Sequence, residues 1–544
     1  MKIAGVWSGH DASFCILKDG YPEIHAEYER YIREKEPLGD SLQFMMDEYP
    51  DFESIKHVAT CFPQTKLTKY ENSLNKINSI LKKNDGKIFL IGHHQAHAAN
   101  TFFSSNFNES MIVTIDGGGV EDPQNTATAC TLWYGKDNHI KHVKTFTMNE
   151  VNIGGLWTRA TRYIFKLQSG WPRGHQAGTV MAMAALGDKD RFAEDFYKML
   201  TKDLFLASMK PQTQPKGAYI PGKDPKHPYL DDWVKIADSD EQTKFDLAAG
   251  LQHATEALLF ELIGFAIQAM PNVKNLCLAG GVSLNSVAAG KIKNWYNKEI
   301  ENVYVTPVPH DGGLAVGAAQ YAWHQILDNE RIVWSDNFTP YLGEIYKTEL
   351  ITETLNKFNE KITFTNCEDD GVIDLLDNEK IVAVFGGGSE SGRRALGNRS
   401  ILADPRPPQM KDKINHKVKH RQWFRPFAPS ILREEVANWF KEDIESPYMS
   451  FVLEFKDEVK DKVPAVVHVD GTARLQTISK NDNEWYYTFI KKWQNKTGVP
   501  ILLNTSFNDR EPICETPEHA INCFLKTEID HLYFYNENIL VSRK

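Results

Sequence analysis

The chain of 544 residues carries 62 lysines and arginines against 72 aspartates and glutamates, which gives a formal net charge of −10 at pH 7. That acidity argues against nonspecific binding to nucleic acid or anionic membranes, although a local basic cleft could still bind either. Hydrophobic residues make up 42% of the sequence, and a chain of this length can bury the cores of roughly two or three domains.

The seven cysteines are scattered, and none lies in a CxxC motif. This pattern is typical of reduced thiols in a cytoplasmic protein and not of a disulfide framework. No apolar run approaches the roughly 20 residues that a membrane helix needs, and the N-terminus lacks the apolar region of a signal peptide. We therefore expect a cytoplasmic protein with no membrane partner.

The N-terminal region predicts a β-hairpin. Residues 1–7 read as an apolar strand, residues 9–13 as a turn, and residues 14–20 as a second extended run that ends in a hairpin turn. Residues 111–119 and 276–285 repeat the pattern of a strand followed by glycines. Three such turns can offer backbone N–H groups to the phosphates of a nucleotide held between two lobes.

Two histidines and two aspartates form a candidate metal site. His93 and His97 are four residues apart, so on a helix they would share one face and could chelate a divalent transition metal. The same spacing also arises by chance. Asp116 ends a strand, and Asp311 precedes a glycine-rich helix, so the two could complete the ligand set. Each aspartate alone is better explained as a turn or helix-cap residue.

The middle of the chain contains a long helix and a polar excursion. Residues 245–270 carry apolar residues at helical spacing, which predicts one buried face. Residues 205–232 are rich in Pro, Lys, Gly and Gln and are either a neutral insertion or a lid over an acceptor. The lysines at 209–226 could serve a polyanionic acceptor or could simply be solvated. The pattern weakens at 335–350, where we place the main domain boundary.

An arginine-rich loop follows a buried strand in the last third of the chain. An apolar run at 381–385 enters three glycines, and residues 392–406 then carry four arginines among Ala, Leu, Gly and Ile. Arginines in a half-buried segment need partners, and a phosphate or carboxylate ligand would supply them. A solvated basic loop is the alternative.

Three further segments add polar groups to this region. Residues 415–429 place cations around aromatic side chains, and residues 468–474 and 503–508 add polar tips after extended runs. A nucleic-acid groove would use the same combination of cations and aromatics. The overall acidity, the glycines and the Asn-Thr-Ser cluster favour a small phosphorylated ligand instead.

Together these motifs resemble the O-carbamoyltransferases of natural-product and nodulation-factor biosynthesis, which include the tobramycin, cephamycin and nodulation enzymes. The resemblance covers nearly the whole chain and is specific for the family, although not for the acceptor. The matching segments are GHDAS (9–13), HHQAHA (93–98), AGGVSLN (279–285), HDGGLAVGAA (310–319), RALGNRSILADPR (394–406), KVKHRQWFRPFAPS (417–430), HVDGTARLQT (468–477) and GVPILLNTSFN (498–508).

The resemblance implies an α/β protein with two domains. Residues 1–345 would form a two-lobed actin-like (ASKHA) domain, and residues 346–544 a YrdC-like α/β domain. In the family, the C-terminal domain joins carbamoyl phosphate and ATP into carbamoyl-adenylate, and the actin-like domain moves the carbamoyl group onto a hydroxyl-bearing acceptor. Mg²⁺, ATP as co-substrate and an iron-type metal follow from the same resemblance, whereas a homodimer is left open.

The resemblance also assigns roles to individual side chains. His10, together with Asp11, would be the general base for the acceptor hydroxyl. The remaining residues fall into three sets: Arg394, Asn398, Lys419, Arg425, Arg474 and Ser506 for carbamoyl phosphate and ATP; Gly117, Gly118, Gly281 and Asn285 for the nucleotide in the N-terminal domain; and His93, His97, Asp116 and Asp311 for Fe²⁺ or another divalent transition metal.

Some positions depart from the family pattern. Thr179 stands where the family usually has a lysine, and Arg173 or His175 could compensate. Such departures suggest a divergent branch with an unusual acceptor. One alternative acceptor is a hydroxymethylated pyrimidine, free or in DNA. An alternative of another class is a non-enzymatic sensor of ATP and metal, because actin-like folds also serve as switches.

Overall fold

A computed structural model of the chain describes residues 1–124, 126–167, 176–201, 230–334 and 337–544. These residues form two compact units: Met1–Glu23 with Glu36–Trp334, and Ile24–Lys35 with Ser335–Lys544. The second unit therefore begins about ten residues before the predicted boundary at 345/346, and it includes a short early segment that the sequence analysis did not anticipate. Most of the predicted excursion at 205–232, and both Arg173 and His175, lie outside the described residues.

The first unit contains two five-stranded sheets, except for residues 24–27 at the end of the third strand, which belong to the second unit. Their strands are β1 (Lys2–Trp7), β2 (Ser13–Lys18), β3 (Tyr21–Glu27), β4 (Ile55–Cys61) and β5 (Ile88–Ile91), then β6 (Glu109–Val120), β7 (Ala127–Lys136), β8 (His139–Thr147), β9 (Asn275–Ala279) and β10 (Asn302–Val305). The sheet orders are β3-β2-β1-β4-β5 and β10-β9-β6-β7-β8. In each sheet the first strand in the chain pairs antiparallel with the second and parallel with the fourth. This duplicated topology is that of a two-lobed actin-like domain, so the predicted fold is confirmed.

The predicted strands at the start of each lobe are present, with one correction. β1 and β2 form the expected antiparallel pair, with Trp7 opposite Ser13. β6 was expected to end near Ile115, but it continues to Val120 across a shift in register between Ile115 and Gly119. The predicted glycine turn is therefore a bulge inside a longer strand, because pairing with β7 resumes at Gly119.

Helices surround these sheets. They are α1 (Tyr28–Ile32), which belongs to the second unit, and α2 (Ser41–Glu48), α3 (Thr65–Thr68), α4 (Glu71–Lys83), α5 (His93–Ser104), α6 (Ile153–Arg159), α7 (Ala177–Ala184), α8 (Ala193–Thr201), α9 (Leu230–Ser239), α10 (Glu241–Ala269), α11 (Ser286–Trp295) and α12 (Leu314–Tyr321). The predicted helix at 245–270 is α10, which starts four residues earlier because Asp240 caps it by accepting from the N–H groups of Gln242 and Thr243.

Small residues let α5 and α12 pack closely in the first unit. A Cβ at Gly317 of α12 would lie 1.9 Å from the carbonyl oxygen of Ala96 in α5, so only glycine fits there. Buried Ala315, Ala318 and Ala319 continue this contact surface in the core that also contains Ala96. This packing fixes the N-terminal end of α5 relative to the residues just before α12.

The second unit is an α/β unit built on one large mixed sheet, in agreement with the predicted YrdC-like domain. Its strands are β11 (Ile362–Asn366), β12 (Val382–Phe385), β13 (Arg399–Ala403), β14 (Ala428–Leu432), β15 (Val452–Glu454), β16 (Thr472–Arg474), β17 (Gln476–Ile478), β18 (Ile501–Ser506), β19 (His531–Phe534) and β20 (Ile539–Arg543). Eight of them follow the order β11-β20-β19-β12-β13-β18-β14-β17, and β15 pairs with β16 separately.

The remaining helices pack on this sheet. They are α13 (Thr348–Lys357), α14 (Asp369–Asp377), α15 (Met410–Lys417), α16 (Val436–Trp439), α17 (Asp457–Lys460), α18 (Glu484–Thr497) and α19 (Pro517–Lys526). The core beneath α18 centres on fully buried Tyr486, Phe489 and Trp493. In the part of the chain that the structure describes, no helix is both long and apolar enough to span a bilayer. All seven cysteines are free thiols.

Candidate active site

The first unit brings together the two histidines and two aspartates of the predicted metal set. His93 and His97 lie on one face of α5, and both Nε2 atoms approach Asp116 Oδ2, at 3.3 and 3.0 Å. Both also lie 3.5 Å from Asp311 Oδ1. The four ligand atoms lie within 4.8 Å of one another. Donors around a metal with bonds of about 2.1 Å are spaced by roughly 3.0–3.4 Å, so the residues fit a divalent transition metal.

The local sequence explains how these side chains meet. Asp116 sits in the bulge of β6, and its Oδ1 accepts from the backbone N–H of Gly117 at 2.6 Å. Gly119 then leaves room for the imidazole, since a Cβ there would lie 2.2 Å from Cδ2 of His93. Asp311 begins the short turn that leads into α12. Close packing of α12 against α5 brings Asp311 to the histidines.

The carboxylates and imidazoles of this cluster shift the pKa values of Asp116 and His97. Burial raises the pKa of Asp116, but its contacts with His93 and His97 lower it by more, to well below its ordinary value. Burial lowers the pKa of His97, whereas Asp116 and Asp311 raise it to about 9. A divalent cation would replace the proton of His97, as metal binding to histidine requires. The donor set therefore suits a cation.

The middle histidine of the motif is separate from this cluster. His94 is buried, with Nδ1 2.9 Å from Thr114 Oγ1 and Nε2 3.2 Å from the carbonyl oxygen of Thr128. Burial and the neighbouring histidines lower the pKa of His94 to about 3, so it is neutral at pH 7. It holds α5 against β6 and β7.

The predicted general base lies beside this cluster. His10 Nδ1 is 2.9 Å from Asp11 Oδ2, and its Nε2 is 3.3 Å from Asp311 Oδ2. The His10 side chain is 58% exposed, whereas Asp11 is buried and has a φ of +59°. A second imidazole, that of His310, lies 3.9 Å from Asp11 Oδ1. The sequence analysis did not assign His310 a role, although it precedes Asp311 in the HDGG motif.

The predicted nucleotide-binding residues occupy different environments. Gly117 and Gly118 lie in the β6 bulge, and a Cβ at Gly281 would lie 3.2 Å from Asp116 Oδ1. Asn285 instead caps α11, accepting from the N–H of Ala288 at 3.1 Å. Its side chain also exchanges two hydrogen bonds with Gln252. The side chain of Asn285 is thus engaged within the protein, and its backbone N–H and carbonyl oxygen are bonded to Val282 and Ala289.

Cations cluster in the second unit. Burial and the neighbouring guanidinium groups, that of Arg474 foremost, lower the pKa of Arg394 well below its ordinary value. Burial and the charge of Arg425 lower the pKa of Arg474 to about 10, and burial lowers that of Arg425 to about 10. The Nε of Arg474 is buried without a hydrogen-bond partner among the described residues. Arg421 joins this group, because burial and the charges of Arg425 and Arg474 lower its pKa too.

Lys419 is tied to the loop that follows β18. Its Nζ donates to the carbonyl oxygens of Ser506 and Asn508, at 2.5 and 2.8 Å, and to Asn508 Oδ1 at 2.8 Å. Burial and the nearby Arg421 lower the pKa of Lys419 to about 7. The predicted pair of Lys419 and Ser506 is therefore in contact, and the lysine fixes the loop that carries the serine.

Asn398 supports the glycine loop after β12. Its Nδ2 donates to the carbonyl oxygen of Gly388, and its Oδ1 accepts from Tyr535 Oη and Asn483 Nδ2, each at 2.8 Å. These three bonds occupy the amide that was predicted to bind ligand. Asn398 therefore shapes the loop. Of its side-chain groups, only the second hydrogen of Nδ2 has no bond to a described residue.

Two buried charged residues that the sequence analysis did not assign also hold this loop. Glu390 Oε1 accepts from the N–H groups of Leu396, Asn398 and Arg399, at 2.7, 2.8 and 3.1 Å. Arg399 is fully buried, stacks on Phe385 and donates to the carbonyl oxygens of the glycine turn. The sequence does not predict this structural role of Arg399, because an arginine that binds carbonyl oxygens cannot be told from one that binds a ligand by sequence alone.

Thr179 has a short hydroxyl where the family usually has a lysine. It is fully buried in α7, and its Oγ1 lies 3.5 Å from Gln176 Oε1. A phosphate contact of the kind a lysine makes is therefore absent at this position.

Comparison with known proteins identifies the family. The family model described as the carbamoyltransferase N-terminus matches residues 8–320, and the one described as the carbamoyltransferase C-terminus matches residues 373–543. The chain belongs to the carbamoyltransferase family. It is accordingly a transferase enzyme, and the predicted family membership is confirmed.

Relatives of this carbamoyltransferase occur in bacteria and archaea. It is 30% identical to an uncharacterized protein of Synechocystis sp., over 97% of this chain and 94% of that protein. It is 33% identical to the nodulation protein NolO of Bradyrhizobium diazoefficiens, over 81% of this chain and 77% of that protein. Among solved structures it is similar to HypF of T. kodakarensis, with 16% identity and a TM-score of 0.36, over 59% of this chain and 47% of HypF. A score that low supports no statement about this chain.

Proposed function

We propose that this carbamoyltransferase moves the carbamoyl group of carbamoyl phosphate onto a hydroxyl of a small-molecule or nucleoside acceptor, through carbamoyl-adenylate made with ATP. The observation that carries the proposal is the cation cluster of the second unit, where burial and neighbouring guanidinium groups lower the pKa values of Arg394 and Arg474. Such a cluster is unfavourable until an anion binds. Carbamoyl phosphate and ATP are anions of the required kind.

In the first half-reaction, water cleaves the bond between the carbamoyl carbon and its phosphate, which gives carbamate and phosphate. A carbamate oxygen then attacks the α-phosphorus of ATP, pyrophosphate leaves with the bonding electrons, and carbamoyl-adenylate forms. Arg394, Arg425 and Arg474 stabilise the charge that develops on the phosphoryl oxygens, because their guanidinium groups are already in place. ATP enters with Mg²⁺ bound to its phosphates.

Burial lowers the pKa of His10, but Asp311 and Asp11 raise it by more, to about 10, so the neutral form gains with rising pH. In the second half-reaction, this neutral His10 acts as general base. It removes the proton of the acceptor hydroxyl, whose oxygen attacks the carbamoyl carbon while AMP leaves with the electrons of the broken bond. The contact of Nδ1 with Asp11 Oδ2 at 2.9 Å holds the ring in place, and the exposed part of the side chain can reach an acceptor. A positioned base of this kind contributes roughly 10²–10⁴ in rate.

His93, His97, Asp116 and Asp311 would hold Fe²⁺ or another divalent transition metal. Such a metal, when bound, supplies a template and a Lewis acid for phosphate or carbonyl oxygens. What supports this proposal is the donor set itself: two imidazoles and two carboxylates with spacings of 3.0–3.5 Å. Two imidazoles with two carboxylates suit iron or a similar metal better than Mg²⁺, which prefers oxygen ligands.

The test is release of pyrophosphate by the purified protein. We expect release only when carbamoyl phosphate, ATP and Mg²⁺ are all present. Mass spectrometry should then find a CHNO addition on the true acceptor, with sugar hydroxyls and a hydroxymethylated pyrimidine as the first candidates. Absence of pyrophosphate with every acceptor offered would contradict the proposal.

A further inference from the structure

An early segment of the chain contributes to the second unit. Residues Ile24–Lys35 belong to this unit, although they precede nearly all of the first. They carry α1 and four charged residues that are buried or half-buried, among them Glu27 and Arg30, which are 5% and 2% exposed. Charged side chains are rarely this buried without a specific partner.

Both residues bind the backbone of Gly392, one at its N–H and the other at its carbonyl oxygen. Glu27 Oε2 accepts from the N–H of Gly392 at 2.9 Å, and Arg30 Nη2 donates to its carbonyl oxygen at 2.6 Å. Arg30 Nη2 also lies 3.4 Å from Glu27 Oε2, so the two side chains support each other. Gly392 has a φ of +93°, a conformation that its neighbours must maintain.

A second carboxylate anchors Arg30 from the other side. Arg30 Nη1 lies 3.6 Å from Glu515 Oε2, which also accepts from Ser389 Oγ at 2.7 Å. Burial lowers the pKa of Arg30, but the charges of Glu27 and Glu515 raise it by more. The guanidinium group is thus a fixed link between α1 and both ends of the segment from Ser389 to Gly392.

Gly392 lies two residues before Arg394. Glu390 fixes the other end of the loop, because its Oε1 accepts from the N–H groups of Leu396, Asn398 and Arg399. Arg394 therefore lies on a loop held at one end by Glu390 and at the other by Glu27 and Arg30. Displacements of about 1 Å in such groups can lower catalytic rates by about 100-fold.

We propose that Glu27 and Arg30 are positioning residues of the anion site, and that they hold the backbone of Gly392 so that Arg394 lies where it contacts the phosphate of carbamoyl phosphate. The inference rests on the proposed function, since it takes that anion to bind at Arg394. It predicts that a change in α1 alters anion binding without touching any residue that contacts the anion.

The experiment measures two quantities in full-length protein: the affinity for inorganic phosphate by calorimetry, and the KM for carbamoyl phosphate in pyrophosphate release. We expect Glu27→Gln and Arg30→Ala each to lower the phosphate affinity and to raise the KM for carbamoyl phosphate by at least about tenfold. Arg30→Lys should recover part of the loss. Glu34→Gln and Lys417→Gln are the controls, because both side chains are exposed and Lys417 pairs with Glu528. Both should stay within about twofold of the wild type.

A third variant guards against misfolding. Gly392→Ala adds a Cβ at a φ of +93° and so moves the same backbone without removing a buried charge. Wild-type affinity in Gly392→Ala, or in folded Glu27→Gln and Arg30→Ala, would overturn the inference while the proposed function stood. A wild-type protein that neither binds phosphate nor releases pyrophosphate would overturn both.

Discussion

At the scale of single residues, this carbamoyltransferase places cations where they repel one another. Arg394, Arg421 and Arg474 all have lowered pKa values, and the charges of neighbouring arginines contribute to each. Arg406, by contrast, has its pKa raised by Asp404 and Asp377, with which it pairs. Arg406, which pairs with two carboxylates, thus differs from Arg394, Arg421 and Arg474, whose pKa values are lowered by burial and by other guanidinium groups.

Arg474→Gln and Arg406→Gln should therefore behave in opposite ways. We expect Arg474→Gln to leave the Tm of the unliganded protein unchanged or higher, because a buried like-charge contact is removed. Its phosphate affinity should fall about 10- to 100-fold, since a hydrogen bond to a charged group contributes roughly 1.5–3 kcal/mol. Arg406→Gln should keep phosphate affinity and lose roughly 1 kcal/mol of stability. Equal Tm losses without a difference in affinity would contradict the assignment.

Lys419 should make anion binding depend on pH. Its pKa of about 7 lies below the ordinary 10.5, so the folded protein loses this proton from about pH 7 upwards while the unfolded chain keeps it until about pH 10.5. The unfolded state binds more protons in that window, so the contribution of Lys419 to the free energy of unfolding rises with pH there. Anion affinity should change in the opposite sense, because the charge is lost.

Sulfate is a suitable probe, because its own charge is constant in this range. We expect its affinity to fall about tenfold between pH 6 and pH 8 if only the protonated lysine binds it. Lys419→Met should flatten the profile. Lys417→Gln is the control, since Lys417 is exposed and pairs with Glu528. A profile with the same slope in Lys419→Met would refute the role of this lysine.

At the scale of elements, β6 and α5 form the histidine–aspartate cluster together. The helix was predictable, because two histidines four residues apart were expected to share a face and α5 begins at His93. The bulge in β6 was not, since residues 116–119 have the composition of a turn and only pairing with β7 makes them part of a strand. The strand that carries Asp116 therefore depends on its neighbour and not on local preference.

Gly119→Ala tests this arrangement. Its Cβ would lie 2.2 Å from the His93 ring, so the imidazole must move. We expect Zn²⁺ or Fe²⁺ affinity, measured by titration calorimetry, to fall about 10- to 100-fold, as losses of supporting contacts around metals do. Gly178→Ala is the matched control, because nothing lies within 4 Å of its added Cβ in α7. Wild-type metal affinity in Gly119→Ala would show that His93 is not a ligand.

At the scale of the whole molecule, the sequence predicted the two-part α/β organisation and the family. It did not predict that Ile24–Lys35 belongs with the second unit, because that placement depends on contacts between residues over 300 positions apart, such as Arg30 with Gly392. Nor did it separate Arg399, which serves the fold, from Arg394. The two arginines differ in their contacts in the folded protein, and these contacts cannot be predicted from the composition of the segment.

The central claim is that the two units carry separate half-reactions. The most direct measurement is pyrophosphate release and carbamoyl transfer by Arg394→Ala and His10→Ala, assayed side by side in full-length protein with carbamoyl phosphate, ATP and acceptor. We expect Arg394→Ala to lose pyrophosphate release, whereas His10→Ala should still release pyrophosphate and form no carbamoylated acceptor. Loss of pyrophosphate release in both variants, or in neither, would contradict it.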